Sequence, residues 1–109
     1  MNWNKLTNAA QIDQLKAESG GQPVLIFKHS TTCSISAMAL SRMERNWSEA
    51  AGIKPYYLDL LANRALSGQI ADAFGVQHQS PQVLLIRDGH CVYDASHMSI
   101  SFKALTQAV

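Results

Sequence analysis

The hydrophobic and polar positions divide the chain into alternating helical and extended segments. Apolar residues three or four positions apart predict amphipathic helices, whereas continuous or alternating apolar runs predict strands. Four helices are predicted: one carrying Ile12 and Leu15 behind a cap at Thr7 or Asn8, one over Ser36–Ala51, one over Asn63–Phe74, and one that Ser99 caps. Four strands are predicted, at Val24–Phe27, Lys54–Leu60, Gln82–Arg87 and Cys91–Ala95. The order α-β-α-β-α-β-β-α predicts an α/β fold in which helices flank a four-stranded mixed sheet.

The stretch from Pro23 to Ser36, PVLIFKHSTTCSIS, organises the rest of this pattern. Its four consecutive apolar residues predict a central strand buried on both faces of the sheet. Lys28 and Arg64 are expected to solvate the surface, with attraction of an anionic thiol as the alternative role. Small polar residues follow and the helical pattern then begins, so Cys33 is predicted at the junction of strand and helix. Unpaired N–H groups and the positive end of the helix dipole favour a thiolate there. Cys33 is therefore the candidate nucleophile, with a buried structural cysteine as the alternative.

The predicted topology indicates which other residues share an edge of the sheet with Cys33. Asp88-Gly89 is a hairpin signal, so the strand after Pro81 is expected to run away from that edge and the last strand to return to it. Loop residues on both sides of the hairpin are then expected near Cys33, namely His78, Ser80, Pro81 and His97. Cys91 is expected at the opposite edge, roughly 13–16 Å away along the strand. A disulfide requires Cα atoms within about 7 Å, so the two cysteines should not pair.

The motif Cys33-Ser34-Ile35-Ser36 places a serine where a dithiol exchanger has its second cysteine. That second cysteine normally attacks the mixed disulfide and releases the product. Without it, a mixed disulfide on Cys33 must wait for an outside thiol. The motif therefore predicts monothiol exchange.

Composition narrows the classes of function. The chain has 109 residues, of which 47% are hydrophobic and 16% charged, which predicts one ordered domain over residues 1–109. A net charge of +1 gives no electrostatic reason to expect nucleic acid or an acidic membrane as a partner. No run of about 18 apolar residues and no signal-peptide pattern is visible, and two cysteines do not form a disulfide framework. These features predict a cytoplasmic protein.

Other cysteine chemistries fit the spacing less well. A cysteine phosphatase needs an arginine six positions after its cysteine, where this chain has Ala39. Zinc needs four converging ligands, so no metal site is predicted. A Cys–His hydrolase needs an oxyanion site and a substrate cleft, for which a domain of this size has little room.

The element order and the position of Ser80-Pro81 resemble the thioredoxin fold. In proteins of that fold, a cis-proline precedes the third strand beside the active-site cysteine. The resemblance therefore implies a cis Ser80–Pro81 bond.

Three sequence segments carry a closer resemblance, which extends over nearly the whole chain. They are FKHSTTCSIS, LDLLANRALSGQIADAFGVQHQSPQVLLIRDG and ASHMSI. They resemble the monothiol bacilliredoxins of the YtxJ-like family, with Ser34 standing where some members have proline. The resemblance implies bacillithiol-dependent redox control in the cytoplasm. Cys33 would take bacillithiol from modified proteins, and an external thiol or reductase would regenerate it without a bound cofactor.

Eight residues are candidates for supporting the Cys33 thiolate or contacting the substrate: His29, Thr32, Ser34, Ser36, His78, Ser80, Pro81 and His97. The Ser36 hydroxyl could donate to the thiolate, or Ser36 could be a small helix residue. Protonated His29 could stabilise the thiolate, or it could be a polar group at a strand end. His97 has helix capping as its alternative role. At the level of function, a redox-sensing or docking module without turnover, and an iron–sulfur carrier resembling monothiol glutaredoxins, stay open as alternatives.

Overall fold

The computed structural model describes residues 1–109 and contains five strands and four α-helices. The strands are β1 (Asn4–Lys5), β2 (Val24–His29), β3 (Lys54–Asp59), β4 (Gln82–Arg87) and β5 (His90–Ser96). The α-helices are α1 (Ala10–Glu18), α2 (Ser34–Asn46), α3 (Arg64–Phe74) and α4 (Phe102–Ala108). Short 3₁₀ helices occupy Glu49–Ala51 and His97–Ser99. None of the helices combines the length and the apolar character that a membrane-spanning segment needs.

The strands form one mixed sheet in the order β1-β3-β2-β4-β5. β1 and β2 both pair with β3 in parallel, whereas β4 pairs antiparallel with β2 and with β5. The sequence predicted four strands, and the fifth is β1 at the edge. Its two residues are polar and exposed, so no hydrophobic alternation could reveal them.

The central strand β2 is buried on both faces, as its apolar run predicts. Val24 and Ile26 face a core that α1 and α3 cover, and Leu25 and Phe27 face a second core that α2 and α4 cover. Successive residues of a strand point to opposite faces of the sheet, so each core contains its own set of β2 side chains. The sheet therefore has an α1/α3 face and an α2/α4 face.

The second helix is shorter than predicted at its C-terminal end and longer at its N-terminal end. It begins at Ser34 instead of Ser36 and ends at Asn46 instead of Ala51. Trp47 is extended, with ψ of 137°, and its ring packs 5.0 Å from that of Phe102. This aromatic contact takes the chain out of the helix, although Trp47 keeps the spacing of a helical core residue.

The first and last helices also start later than predicted. The N-cap of α1 is Ala9, which makes no side-chain capping bond, so neither Thr7 nor Asn8 caps the helix. The side chain of Gln11 instead accepts hydrogen bonds from the backbone N–H groups of Thr7 and Asn8. In α4, the hydroxyl of Ser101 accepts from Ala104 N at 3.1 Å. Ser101, not Ser99, is therefore the N-cap, because Ser99 belongs to the preceding 3₁₀ helix.

Lys28 is wholly buried, at 0% exposure, and the expectation that it lies at the surface is wrong. The alternation along β2 places Lys28 on the α1/α3 face with Val24 and Ile26. Its Nζ donates to the carbonyl of Ser67 on α3 at 3.2 Å. An apolar run alone did not reveal that the strand continues, still buried, to His29.

Candidate active site

Cys33 is the N-cap residue of α2, at the edge of the sheet where β2 ends. Its backbone is extended, its carbonyl accepts the first helical hydrogen bond from Ala37 N, and its N–H donates to Ser30 O. The thiol is partly exposed and makes no capping hydrogen bond. The first turn contains no acidic residue, so the N–H groups and the positive end of the dipole are left for an anion at the sulfur. The role of Cys33 as the nucleophile stays a prediction.

Ser36 and His29 form a buried polar pair that joins the start of α2 to the end of β2. His29 Nδ1 lies 2.6 Å from Ser36 Oγ, and Ser30 N–H donates to the same oxygen at 3.0 Å. Burial lowers the pKa of His29, so the neutral imidazole is favoured. The Ser36 hydroxyl thus ties the last residue of β2 and the turn after it to the first turn of α2.

Thr32 and Ser34 flank Cys33 and are both exposed. The Thr32 hydroxyl lies 3.4 Å from that of Ser30. Ser34 is the first residue of the helix, so its backbone N–H lacks an intrahelical acceptor. A contribution of either residue to the reaction at Cys33 stays a prediction.

The loop before β4 joins the site from the other side. The Ser80–Pro81 bond is cis, as the resemblance implied. His97 N donates to Pro81 O at 3.1 Å, which brings the segment after β5 to the same edge. The hydroxyl of Ser80 is buried without a hydrogen-bond partner. It is therefore a free polar group beside the proline.

His97 itself is exposed and has a left-handed backbone, with φ of 55°. It begins the 3₁₀ helix His97–Ser99, which packs against α2. The backbone of His97 therefore connects β5 to the proline loop, and a role for its imidazole stays a prediction.

His78 lies at this edge too, but its imidazole is engaged on the α1/α3 face. Its Nδ1 is 3.2 Å from Lys28 Nζ and 3.1 Å from Ser67 Oγ. Burial, and then the charge of Lys28, lower the pKa of His78. These contacts place the His78 ring on the other side of the sheet from α2.

Cys91 lies at the opposite end of the sheet, and both cysteines are free. It pairs with Ile86, which in turn pairs with Val24 at the start of β2, whereas Cys33 follows the end of β2. The Cys91 thiol donates to Tyr93 O at 3.4 Å, and burial raises its pKa. The predicted direction of the hairpin is thus confirmed.

Sequence reasoning missed two features near this edge. One is the contact of Lys28 with Ser67 and His78, for which a lysine directly after an apolar run was the available signal. The other is a set of exposed apolar side chains on α2 and the adjoining 3₁₀ helix, namely Ile35 (43% exposed), Met38 (58%) and Met98 (69%). The helical period assigns such residues to a solvent face without indicating that the 3₁₀ helix of Met98 packs against α2. No three His, Cys, Asp or Glu side chains converge to hold a metal ion.

Several solved structures share this architecture. A structure described as a thioredoxin-fold oxidoreductase is 34% identical, with a TM-score of 0.83 over 95% of this chain and 90% of that chain. Thioredoxin from Trypanosoma brucei brucei is 14% identical, with a TM-score of 0.77 over 98% and 87% of the two chains. Mitochondrial thioredoxin 3 from Saccharomyces cerevisiae is 15% identical, with a TM-score of 0.75 over 98% and 92%. The thioredoxin fold is therefore established.

A family model narrows this assignment. Residues 4–105 match the model described as monothiol bacilliredoxin BrxC. The match spans the Cys33 turn, the cis-proline loop and the segment after β5, which are the segments that form the candidate site. The chain belongs to the monothiol bacilliredoxin family.

Proposed function

We propose that this protein removes bacillithiol from S-bacillithiolated protein cysteines, with Cys33 as the exchanging thiol. The observation that carries the proposal is the placement of Cys33 at the N-cap of α2, with the other cysteine at the far end of the sheet. Such a site accepts a thiol in a mixed disulfide and has no internal thiol to displace it. The proposed setting is the cytoplasm, where a reducing environment keeps both cysteines free.

The reaction proceeds in two exchanges. The Cys33 thiolate attacks the bacillithiol sulfur of the mixed disulfide, a Cys33–bacillithiol disulfide forms, and the target protein leaves as a thiolate that takes a proton from water. An external thiolate then attacks the bacillithiol sulfur on Cys33, which forms a new external disulfide and restores the Cys33 thiolate. Both steps conserve electrons, because one disulfide is consumed and one is formed each time.

The chain's own residues contribute by holding the sulfur and receiving the substrate. The N–H groups of the first turn of α2 stabilise Cys33 as an anion, both as the attacking and as the leaving group. The backbone beside cis-Pro81 offers polar groups to an extended segment of the target protein. Ile35, Met38 and Met98 offer an apolar surface to the same partner.

Multiple-turnover kinetics test the proposal. The protein is mixed with an excess of a bacillithiol-modified target protein and an external reducing thiol, and release of the unmodified target is followed by mass spectrometry. We expect many targets to be released per molecule and none above the uncatalysed rate with Cys33→Ser. Modification of Cys33 without turnover would contradict the proposal and favour the redox-sensing alternative. A visible absorbance band after iron–sulfur reconstitution would favour the carrier alternative.

A further inference from the structure

Lys28 is a buried cation without an acidic partner. The chain's one ion pair joins Lys54 to Glu18, at the other end of the sheet. Lys28 Nζ contacts Ser67 O and His78 Nδ1, which are both neutral groups. A buried ammonium without a counter-charge is unfavourable, and burial lowers the pKa of Lys28 to about 8. The Lys28 ammonium therefore has no counter-ion within the chain.

His78 is held over Lys28 by the loop that carries it. Gln82 is buried beside Lys28 in the β2–β4 register, and its side-chain amide donates to Gln77 O at 3.0 Å and accepts from Gln79 N at 3.3 Å. The residues on both sides of His78 are thereby fixed to the sheet. Since the Lys28 ammonium can only donate, His78 Nδ1 must accept, and the neutral ring carries its proton on Nε2. This N–H is free to donate outward.

A cavity of about 280 Å³ opens at this cluster, and the residues that line it are Leu60, Arg64, Ser67, Gly68 and His78. Arg64 is the first residue of α3, and its N-cap Asn63 makes no side-chain capping bond. Two residues with nitrogen donors, Arg64 and His78, thus line the cavity at the start of α3, and Lys28 contacts the lining residues Ser67 and His78. Every one of these groups favours an anion.

We propose that this cavity binds a carboxylate group of a small molecule, with Arg64 and His78 Nε2–H as its donors and Lys28 as the compensating charge behind them. A planar carboxylate matches the forked guanidinium, and the volume suits a small molecule. The cavity lies on the α1/α3 face, whereas Cys33 begins a helix on the α2/α4 face. The inference goes beyond the proposed exchange reaction and does not depend on it.

NMR titration of the full-length isotope-labelled protein with sodium succinate, at constant ionic strength, tests the proposal. We expect saturable shifts of the His78 ring signals and a rise of the Lys28 pKa above about 8, because a bound anion stabilises the ammonium. The groups facing Lys28 from neighbouring elements are Leu58, Ser67, His78 and Gln82, so His78 is the titratable one among them. Affinity should fall as the pH rises from 7 towards 10 and Lys28 loses its charge.

Three controls make the result specific. Succinamide, the neutral isostere, should produce no saturable shift. Arg64→Gln should weaken succinate binding about tenfold, as expected for the loss of a charge-assisted pair, whereas Arg45→Gln, an exposed arginine on α2, should not. Cys33→Ser should bind succinate as the wild type does, which separates this test from that of the exchange reaction. Equal responses to succinate and succinamide, an unaffected Arg64→Gln, or tighter binding of inorganic phosphate would overturn the proposal.

Discussion

Ser36 occupies the position at which a dithiol exchanger carries its second cysteine, and the structure gives this serine a definite role. Its hydroxyl is wholly buried and joins His29 Nδ1 to the N–H of Ser30. The sequence motif could show that a resolving thiol is missing. It could not show which partners the hydroxyl has, because these depend on how closely β2 and α2 approach each other.

Removing this hydroxyl should destabilise the fold. Ser36→Ala leaves His29 Nδ1 and Ser30 N–H without their partner, which should lower the free energy of unfolding by about 1–3 kcal/mol. Urea denaturation measures the change. Ser41→Ala, on the exposed face of the same helix, is the matched control and should change stability by less than about 0.5 kcal/mol. Equal effects of the two substitutions would show that the buried pair does not stabilise the site.

Lys28 should give stability a dependence on pH in the alkaline range. Its pKa is about 8 in the folded chain against an ordinary 10.5, so the unfolded chain binds more protons between these values. The free energy of unfolding should therefore gain a contribution that rises with pH from about 8 to 10.5. Lys28→Met should lack this contribution, as urea denaturation at several pH values would show, while Lys103→Met at an exposed position should retain it. A wild-type pH dependence in Lys28→Met would contradict the assignment.

At the scale of elements, the sequence predicted the parts that local rules determine. The strand–turn–helix junction at Cys33 follows from an apolar run, a polar turn and a helical period, and the hairpin follows from Asp88-Gly89, both of which have positive φ. One strand and the end of one helix depend on tertiary contacts, and these were not predicted. β1 exists because Asn4 and Lys5 pair with β3, and α2 ends early because Trp47 packs against Phe102.

The hairpin direction leads to a prediction for the second cysteine. Because β4 and β5 place Cys91 at the far end of the sheet, Cys91→Ser should leave the exchange rate within about twofold of wild type. Its thiol donates to Tyr93 O, a contact that serine can also make, so the cost in stability should be modest. Rates of bacillithiol release with the external thiol held constant measure the effect. A large loss of activity would mean that Cys91 takes part in exchange.

At the scale of the whole molecule, the candidate site is assembled from segments far apart in sequence. Cys33 at the start of α2, the cis-proline loop and the segment after β5 meet at one edge, joined by the bond from His97 N to Pro81 O. The predicted topology was enough to place these three segments at the same edge of the sheet. It could not assign the histidine rings to a face, and so the contact of His78 with Lys28 emerged only from the structure.

Adding a second thiol tests this assembly. Ser36→Cys should allow Cys33 and the new cysteine to close a disulfide and eject bacillithiol without an external thiol. Ser41→Cys is the control, since eight residues along a helix separate the two sulfurs by about 12 Å. Mass spectrometry of the bacillithiol adduct in the absence of external thiol should show its loss from the first variant and its retention in the second. Retention of the bacillithiol adduct in both variants would show that residues 33 and 36 are not close enough to form a disulfide.

The central claim is that Cys33 carries out thiol–disulfide exchange without a second cysteine of the chain. Intact-mass analysis with peptide mapping, after incubation with oxidised bacillithiol, tests it most directly. The account predicts one bacillithiol adduct per chain, located on Cys33, in both the wild type and Cys91→Ser, and none on Cys33→Ser. An internal Cys33–Cys91 disulfide, seen as the loss of two hydrogens with both cysteines protected from alkylation, would contradict it.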